Sequence, residues 1–103
     1  MNGFEKNEWK VTGYVFYLKE MQGEFACSLK VSGVAKRPEL YSSSKLELAC
    51  LMTPEVYDEA KRKGLRNRIN VTLSGHLESW HNRSSSNPKV YFIADKVENV
   101  GGF

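Results

Sequence analysis

"TPEVYDEAKRKGL", Thr53 to Leu65, decides the fold, because it is the one stretch that reads as a helix. The Thr53 hydroxyl suits an N-cap, where it would accept an orphan backbone N–H. Pro54 fits the first helical position, which needs no donor. Glu55, Asp58 and Glu59 favour the positive end of the helix dipole, and Lys61, Arg62 and Lys63 the negative end. Val56 and Ala60, four apart, form a narrow apolar stripe. Gly64 supplies a left-handed stop.

Upstream of this helix the pattern changes to that of strands. "KLELACLM", Lys45 to Met52, alternates with Leu46, Leu48, Cys50 and Met52 on one face. "EFACSLKVSG", Glu24 to Gly33, sets Phe25, Cys27, Leu29 and Val31 against Ala26, Ser28, Lys30 and Ser32, the period of a half-buried strand. "EWKVTGYVFYLKE", Glu8 to Glu20, is rich in β-formers. One face holds Trp9, Val11, Gly13, Val15 and Tyr17, the other Lys10, Thr12, Tyr14, Phe16 and Leu18, so both faces offer apolar surface.

Downstream, "RINVTLSGHLES", Arg68 to Ser79, puts Ile69, Val71, Leu73, Gly75 and Leu77 on one side. Asn70, Thr72, Ser74, His76 and Glu78 lie on the other, and Trp80 continues that polar parity. "KVYFIADKVENV", Lys89 to Val100, is ambiguous in facing: Val90, Phe92 and Ala94 compete with Tyr91, Ile93 and Val97. Three strands, a helix and two strands predict an all-β OB-fold, a five-stranded Greek-key barrel with one helix between strands 3 and 4. An SH3-like barrel has no natural slot for the helix. The 103 residues make one domain, residues 1–103.

Composition narrows the function classes. Hydrophobic residues at 41% and charged residues at 26% are a globular balance, not that of a disordered chain. A net charge of +3 permits an anionic partner without demanding one. Cys27 and Cys50 sit inside apolar runs and read as buried reduced thiols. His76 and His81 have no cysteine or carboxylate arranged around them in the sequence, so neither a metal nor another cofactor is expected. No Gly-rich phosphate loop and no activated nucleophile stand out, so the chain reads as a non-enzyme. The polar start and the lack of a long apolar run predict a soluble, cytoplasmic protein with no membrane partner.

Several stretches, taken in order, resemble bacterial single-stranded DNA-binding proteins, including their small primosome-type variants. "VTGYV" (Val11 to Val15) is similar to the Val-x-Gly-x-Leu opening of the first strand, and "EFACSLKVSG" resembles the second. "INVTLSGHLESW" (Ile69 to Trp80), a polar loop and "KVYFIADKV" (Lys89 to Val97) resemble the fourth and fifth, where Gly-x-Leu leads to an aromatic at the mouth of a long hairpin. The resemblance implies an OB-fold that grips single strands with little sequence preference, serving DNA replication, repair or recombination. It does not extend to the aromatics of the family's third strand, since "KLELACLM" has none, nor to an acidic recruiting tail, since the sequence given ends "ENVGGF".

Gripping a single strand requires cations along phosphates and aromatic faces for bases. The candidate stackers are Trp80 at the hairpin mouth, Tyr41 among basic residues, and Tyr14 and Tyr91 on strands one and five. Lys36, Arg37, Lys45, Arg83 and Lys89, in or beside two loops, are the candidate phosphate contacts. The basic run "KRKGLRNR" follows a helix end, where cations are expected on dipole grounds. One barrel gives a short groove, so a homo-oligomer, a dimer or tetramer, is expected, joined through the apolar outer face of strand one. Two alternatives stay open: an OB-fold for RNA or tRNA, and a protein-interaction module built on the same barrel.

Overall fold

A computed structural model describes residues 6–34, 45–80 and 89–101. Five strands and a helix follow the expected order: β1 (Trp9–Glu20), β2 (Cys27–Val34), β3 (Lys45–Met52), α1 (Pro54–Arg62), β4 (Ile69–Trp80) and β5 (Lys89–Val100). The strands close into a barrel in the order β1-β2-β3-β5-β4. Neighbours are antiparallel except β3 and β5, which run parallel. This is the OB-fold arrangement, with the helix where the sequence put it.

β1 closes the barrel by serving two partners. Trp9 to Val15 pair with β4, and Tyr14 to Glu20 pair with β2. The register shifts between Val15 and Tyr17, leaving Phe16 as the extra residue of a bulge. That residue inverts the pleat, so the expected facing of the strand's second half is corrected: Leu18 packs against the core and Tyr17 is exposed. Val15 is fully buried, while Trp9 and Val11 are half-buried against the core.

Cys27, Leu29, Val31, Cys50, Met52, Val71, Leu73 and Val97 fill the barrel. All but Val97, which lies on β5, are positions read as one face from the period of β2, β3 and β4. Two further shifts, between Thr72 and Leu73 and between Ser74 and Gly75, explain the ambiguity of β5. Ala94 opposes Gly75 but Val97 opposes Leu73, so the residues lining the core change parity along the strand. Burial pushes the thiols of Cys27 and Cys50 up to about 12, so both are protonated and unreactive at neutral pH.

The helix differs from expectation at its start. Thr53 occupies the N-cap with extended backbone, but its hydroxyl makes no capping bond; the first turn closes through the Tyr57 N–H donating to the Thr53 carbonyl at 2.9 Å. Tyr57 and Ala60 are the buried residues, with Val56 half-buried beside them, so the apolar stripe is wider than Val56 and Ala60 alone. The Tyr57 hydroxyl donates to Glu20 Oε2 at 3.0 Å, tying the helix to the end of β1. Gly64, at φ 100°, turns the chain, and Leu65 drops into the core behind it. The basic run is engaged locally: Lys61 pairs with Asp58 at 3.7 Å, and Lys63 with Glu59 at 3.5 Å and the Val97 carbonyl at 2.6 Å.

Candidate nucleic-acid interface

The β4–β5 hairpin carries the groups of interest at its open end. Trp80, the last residue of β4, lies opposite Lys89, the first of β5; Tyr91 lies opposite Glu78. Trp80 and Tyr91 are therefore diagonal neighbours, within reach of each other for large rings. Their centroids are 3.8 Å apart and their planes 8° from parallel. The Lys89 ammonium sits 5.5 Å from the Tyr91 centroid, a cation–π arrangement. Trp80 remains 38% exposed and takes no part in the core cluster, so it does not plug the barrel floor.

A third ring joins from a different element. Phe25 lies in the connection between β1 and β2, closed at its base by the Met21 N–H donating to the Ala26 carbonyl at 2.7 Å. Its ring is 12° from parallel to Trp80, with centroids 6.4 Å apart. Three aromatic rings and one cation thus converge from the β1–β2 connection and the ends of β4 and β5, beside the two loops that bind ligands on OB barrels. The period-two reading assigned Phe25 to the core face of strand two. β2 starts only at Cys27, so the pleat does not dictate the direction of Phe25. The legible signal was an aromatic closely following the Gly23 turn.

Of the nine expected contact residues, the structure brings Trp80, Tyr91 and Lys89 together. Tyr14 is not among them: it pairs with Asn70 at the beginning of β4, whereas Trp80 ends that strand. It is exposed beside Phe16 and Tyr17 on the outer side of β1. Lys45 begins β3 opposite Val34, with its side chain outside the described residues. Lys36, Arg37, Tyr41 and Arg83 lie outside the described residues, as does His81. Trp9 is a packing residue: its ring meets Phe92 edge-on at 5.8 Å, and its Nε1–H donates to the His76 carbonyl at 2.8 Å.

His76 corrects one expectation, for two carboxylates flank it. Nδ1 is 2.6 Å from Asp95 Oδ2, and Nε2 is 2.6 Å from Glu78 Oε2. Both contacts are satisfied only when both ring nitrogens carry protons. The hydrogen bond to Asp95, then that to Glu78, raises the His76 pKa above its ordinary 6.5. A raised folded-state pKa gives stability that is complete below 6.5 and fades as pH rises through the raised value. All three side chains are partly exposed, which keeps the effect within about 1 kcal/mol. His76→Gln should therefore lower the melting temperature at mildly acidic pH and by progressively less as the solution becomes alkaline. A difference independent of pH would mean the imidazolium is not what holds these strands.

No family model matches the chain, and no curated protein matches it in sequence. Solved structures do match it in shape. A small single-stranded DNA binding protein from Mycoplasma pneumoniae superposes with a TM-score of 0.61 at 11% identity, over 91% of this chain and 93% of that one. The Plasmodium falciparum SSB, in complex with ssDNA, superposes with a TM-score of 0.57 at 15% identity, over 97% and 95%. At such identities the likeness establishes the fold alone: the chain is an OB barrel over nearly its whole length.

Proposed function

We propose that this protein binds single-stranded DNA with little sequence preference and without catalysing a reaction, in DNA replication, repair or recombination. The observation that carries this reading is the convergence of Trp80 and Tyr91, with Lys89 beside them, from the ends of β4 and β5, and of Phe25 from the β1–β2 connection of an OB barrel. Exposed parallel rings offer stacking surface to any base, and a neighbouring ammonium neutralises phosphate. Both structural neighbours named above are described as single-stranded DNA binders, which supports the same reading. Tyr14, Phe16 and Tyr17, exposed on β1 away from the ring cluster, suit self-association, which would extend a short groove.

The test is a titration of oligo-dT against intrinsic tryptophan fluorescence at two ionic strengths. Trp9 is half-buried, so a parallel titration of Trp80→Phe assigns the quenching to Trp80. Affinity should fall as salt rises, because neutralised phosphates release counterions, with a logarithmic slope of about −0.7 per contact on a single strand. Matched RNA oligomers in the same assay separate the RNA alternative, which depends on contacts to the 2′-hydroxyl. Absence of quenching and of any retarded complex at low salt would return the barrel to the protein-interaction alternative.

A further inference from the structure

His76 and its two carboxylates lie on the same strip of sheet as the stacked rings. From Gly75 to Trp80 the pairing of β4 with β5 runs without a shift, so His76, Glu78 and Trp80 share one face with Tyr91 and Lys89. Glu78 is opposite Tyr91, directly beside the Trp80–Tyr91 stack. Asp95 arrives by a different route. Gly75 pairs with Ala94 and Ser74 with Lys96, so Asp95 is the extra residue of a bulge, a device that re-aims a side chain. Its carboxylate meets His76 Nδ1 at 2.6 Å and holds the ring with Nε2 at 2.6 Å from Glu78. We propose that His76 is a proton-operated regulator of single-strand binding: its imidazolium masks the Glu78 charge beside the rings, and loss of the proton to water unmasks that charge against the phosphates. The inference rests on the single-strand reading above and adds its regulation.

Charge gives the direction of the effect. With the ring protonated, one positive charge stands between two negative ones; with the ring neutral, only the two negative charges remain. A neutral imidazole also has a single N–H, so one of the carboxylates is left facing a lone pair. The other charged groups around the cluster are Lys89, opposite Trp80, and Lys96, opposite Ser74. On the β1 side, Glu8, Lys10 and Glu98 line a cleft with Asp95, and Lys10 pairs with Glu98 at 3.2 Å. Carboxylates, phenols and ammonium groups ordinarily keep one charge state from about pH 5.5 to about pH 8.5, whereas an imidazole changes its own there. His76 is the one imidazole among the described residues, and its two carboxylates move its titration upward from 6.5. Single strands should therefore bind more tightly below that raised midpoint and more weakly above it. All three side chains are partly exposed, so the effect is modest and fades as salt screens it.

The experiment measures the affinity of the full chain for a labelled oligo-dT by anisotropy, at fixed low ionic strength, across that same pH range. Wild-type affinity should fall about two- to four-fold from the acid to the alkaline end. His76→Gln cannot take up a proton and should hold the alkaline-end affinity throughout. Glu78→Gln should bind at the alkaline end about as tightly as the wild type does at the acid end. His81→Gln should keep the wild-type profile, which separates the two imidazoles of the chain. Linkage supplies a readout that needs no variant: if the proton on His76 favours the strand, the strand favours the proton by the same factor. The His76 imidazole, followed by NMR, should therefore titrate at a higher pH with oligo-dT bound than without it. A flat wild-type profile, an unchanged fall in His76→Gln, or a His76 midpoint that oligo-dT does not move overturns the regulator; in each case single-strand binding through the rings stands. Failure of the wild type to bind oligo-dT at either end of the range removes the regulator and the reading beneath it together.

Discussion

Gly75→Val should be among the most destabilising single substitutions in the barrel, lowering its melting midpoint by more than about 12 °C. A Cβ at position 75 would run into the carbonyl oxygen of Ile93, far inside van der Waals contact, with the Trp9 Cζ2 atom only 2.8 Å away on another side. Neither obstacle yields easily. The carbonyl is backbone, held in the β4–β5 ladder where Gly75 opposes Ala94. Trp9 is wedged between this strand and Phe92, with its Nε1–H committed to the His76 carbonyl. Overpacking a core costs about 1–3 kcal/mol even when side chains can shift, and more when backbone must move. A loss of about 3 kcal/mol or more is a large part of the 5–15 kcal/mol that holds a domain of this size. At roughly 4–8 °C per kcal/mol, the melting midpoint should fall by more than about 12 °C. Gly33→Ala is the control: among the described residues its added Cβ would meet the Thr12 carbonyl oxygen alone, at 3.5 Å, an ordinary contact. That variant should melt within a few degrees of wild type. If Gly75→Val melted as Gly33→Ala does, the strands would not approach as closely as described.

Gly75 also shows how much was legible in the sequence. In the sequence it is one more position on the face of Leu73 and Leu77, whereas the structure has a register shift and a close backbone approach at that point, a common use of a strand glycine. Where strands ran with an unbroken period, as in β2 and β3, alternation alone named the core: Cys27, Leu29, Val31, Cys50 and Met52. The helix was legible because Pro54, the charge gradient and Gly64 agreed, although the Thr53 hydroxyl proved to make no bond. Bulges defeated the same logic. One extra residue reverses every side chain beyond it, and nothing local in "GYVFYL" says that Phe16 is that residue. Hence Tyr17 leaves the side that Val15 shares with the core and Leu18 takes it, contrary to a strict period of two, and the same kind of shift leaves the facing of β5 open in the sequence. The site was legible where a strand delivers the ring, at Trp80 and Tyr91. Phe25 beside Trp80 and Asp95 beside His76 arrive by tertiary juxtaposition, from residues distant in sequence, and periodicity carries no information about that; Glu78, two residues from His76 on the same face, was within its reach.

Trp80→Ala should cut affinity for oligo-dT by between about 5-fold and 100-fold at fixed salt, the equivalent of one lost base stack of roughly 1–3 kcal/mol. The loss should fall wholly on the salt-independent part of binding. Removing an indole releases no counterion, so the logarithmic slope with salt should match wild type, whereas Lys89→Ala should make the slope shallower by about 0.7 if Lys89 meets one phosphate. Trp80→Phe should recover most of the affinity, because it keeps a π-face while giving up the indole's size. Folding should not confuse the result. Trp80 is at the end of its strand, 38% exposed and outside the core cluster, so truncation opens no internal cavity. Its known partners in the free protein are Tyr91 and Phe25, and an aromatic pair contributes about 0.5–1.5 kcal/mol beyond burial, a tolerable loss for the domain. Base contact and phosphate contact are thus separable at adjacent positions, since Trp80 and Lys89 face each other across the hairpin. An unchanged affinity in Trp80→Ala, with the salt slope intact, would place the bases elsewhere on the barrel and leave the ring cluster as a brace for the hairpin.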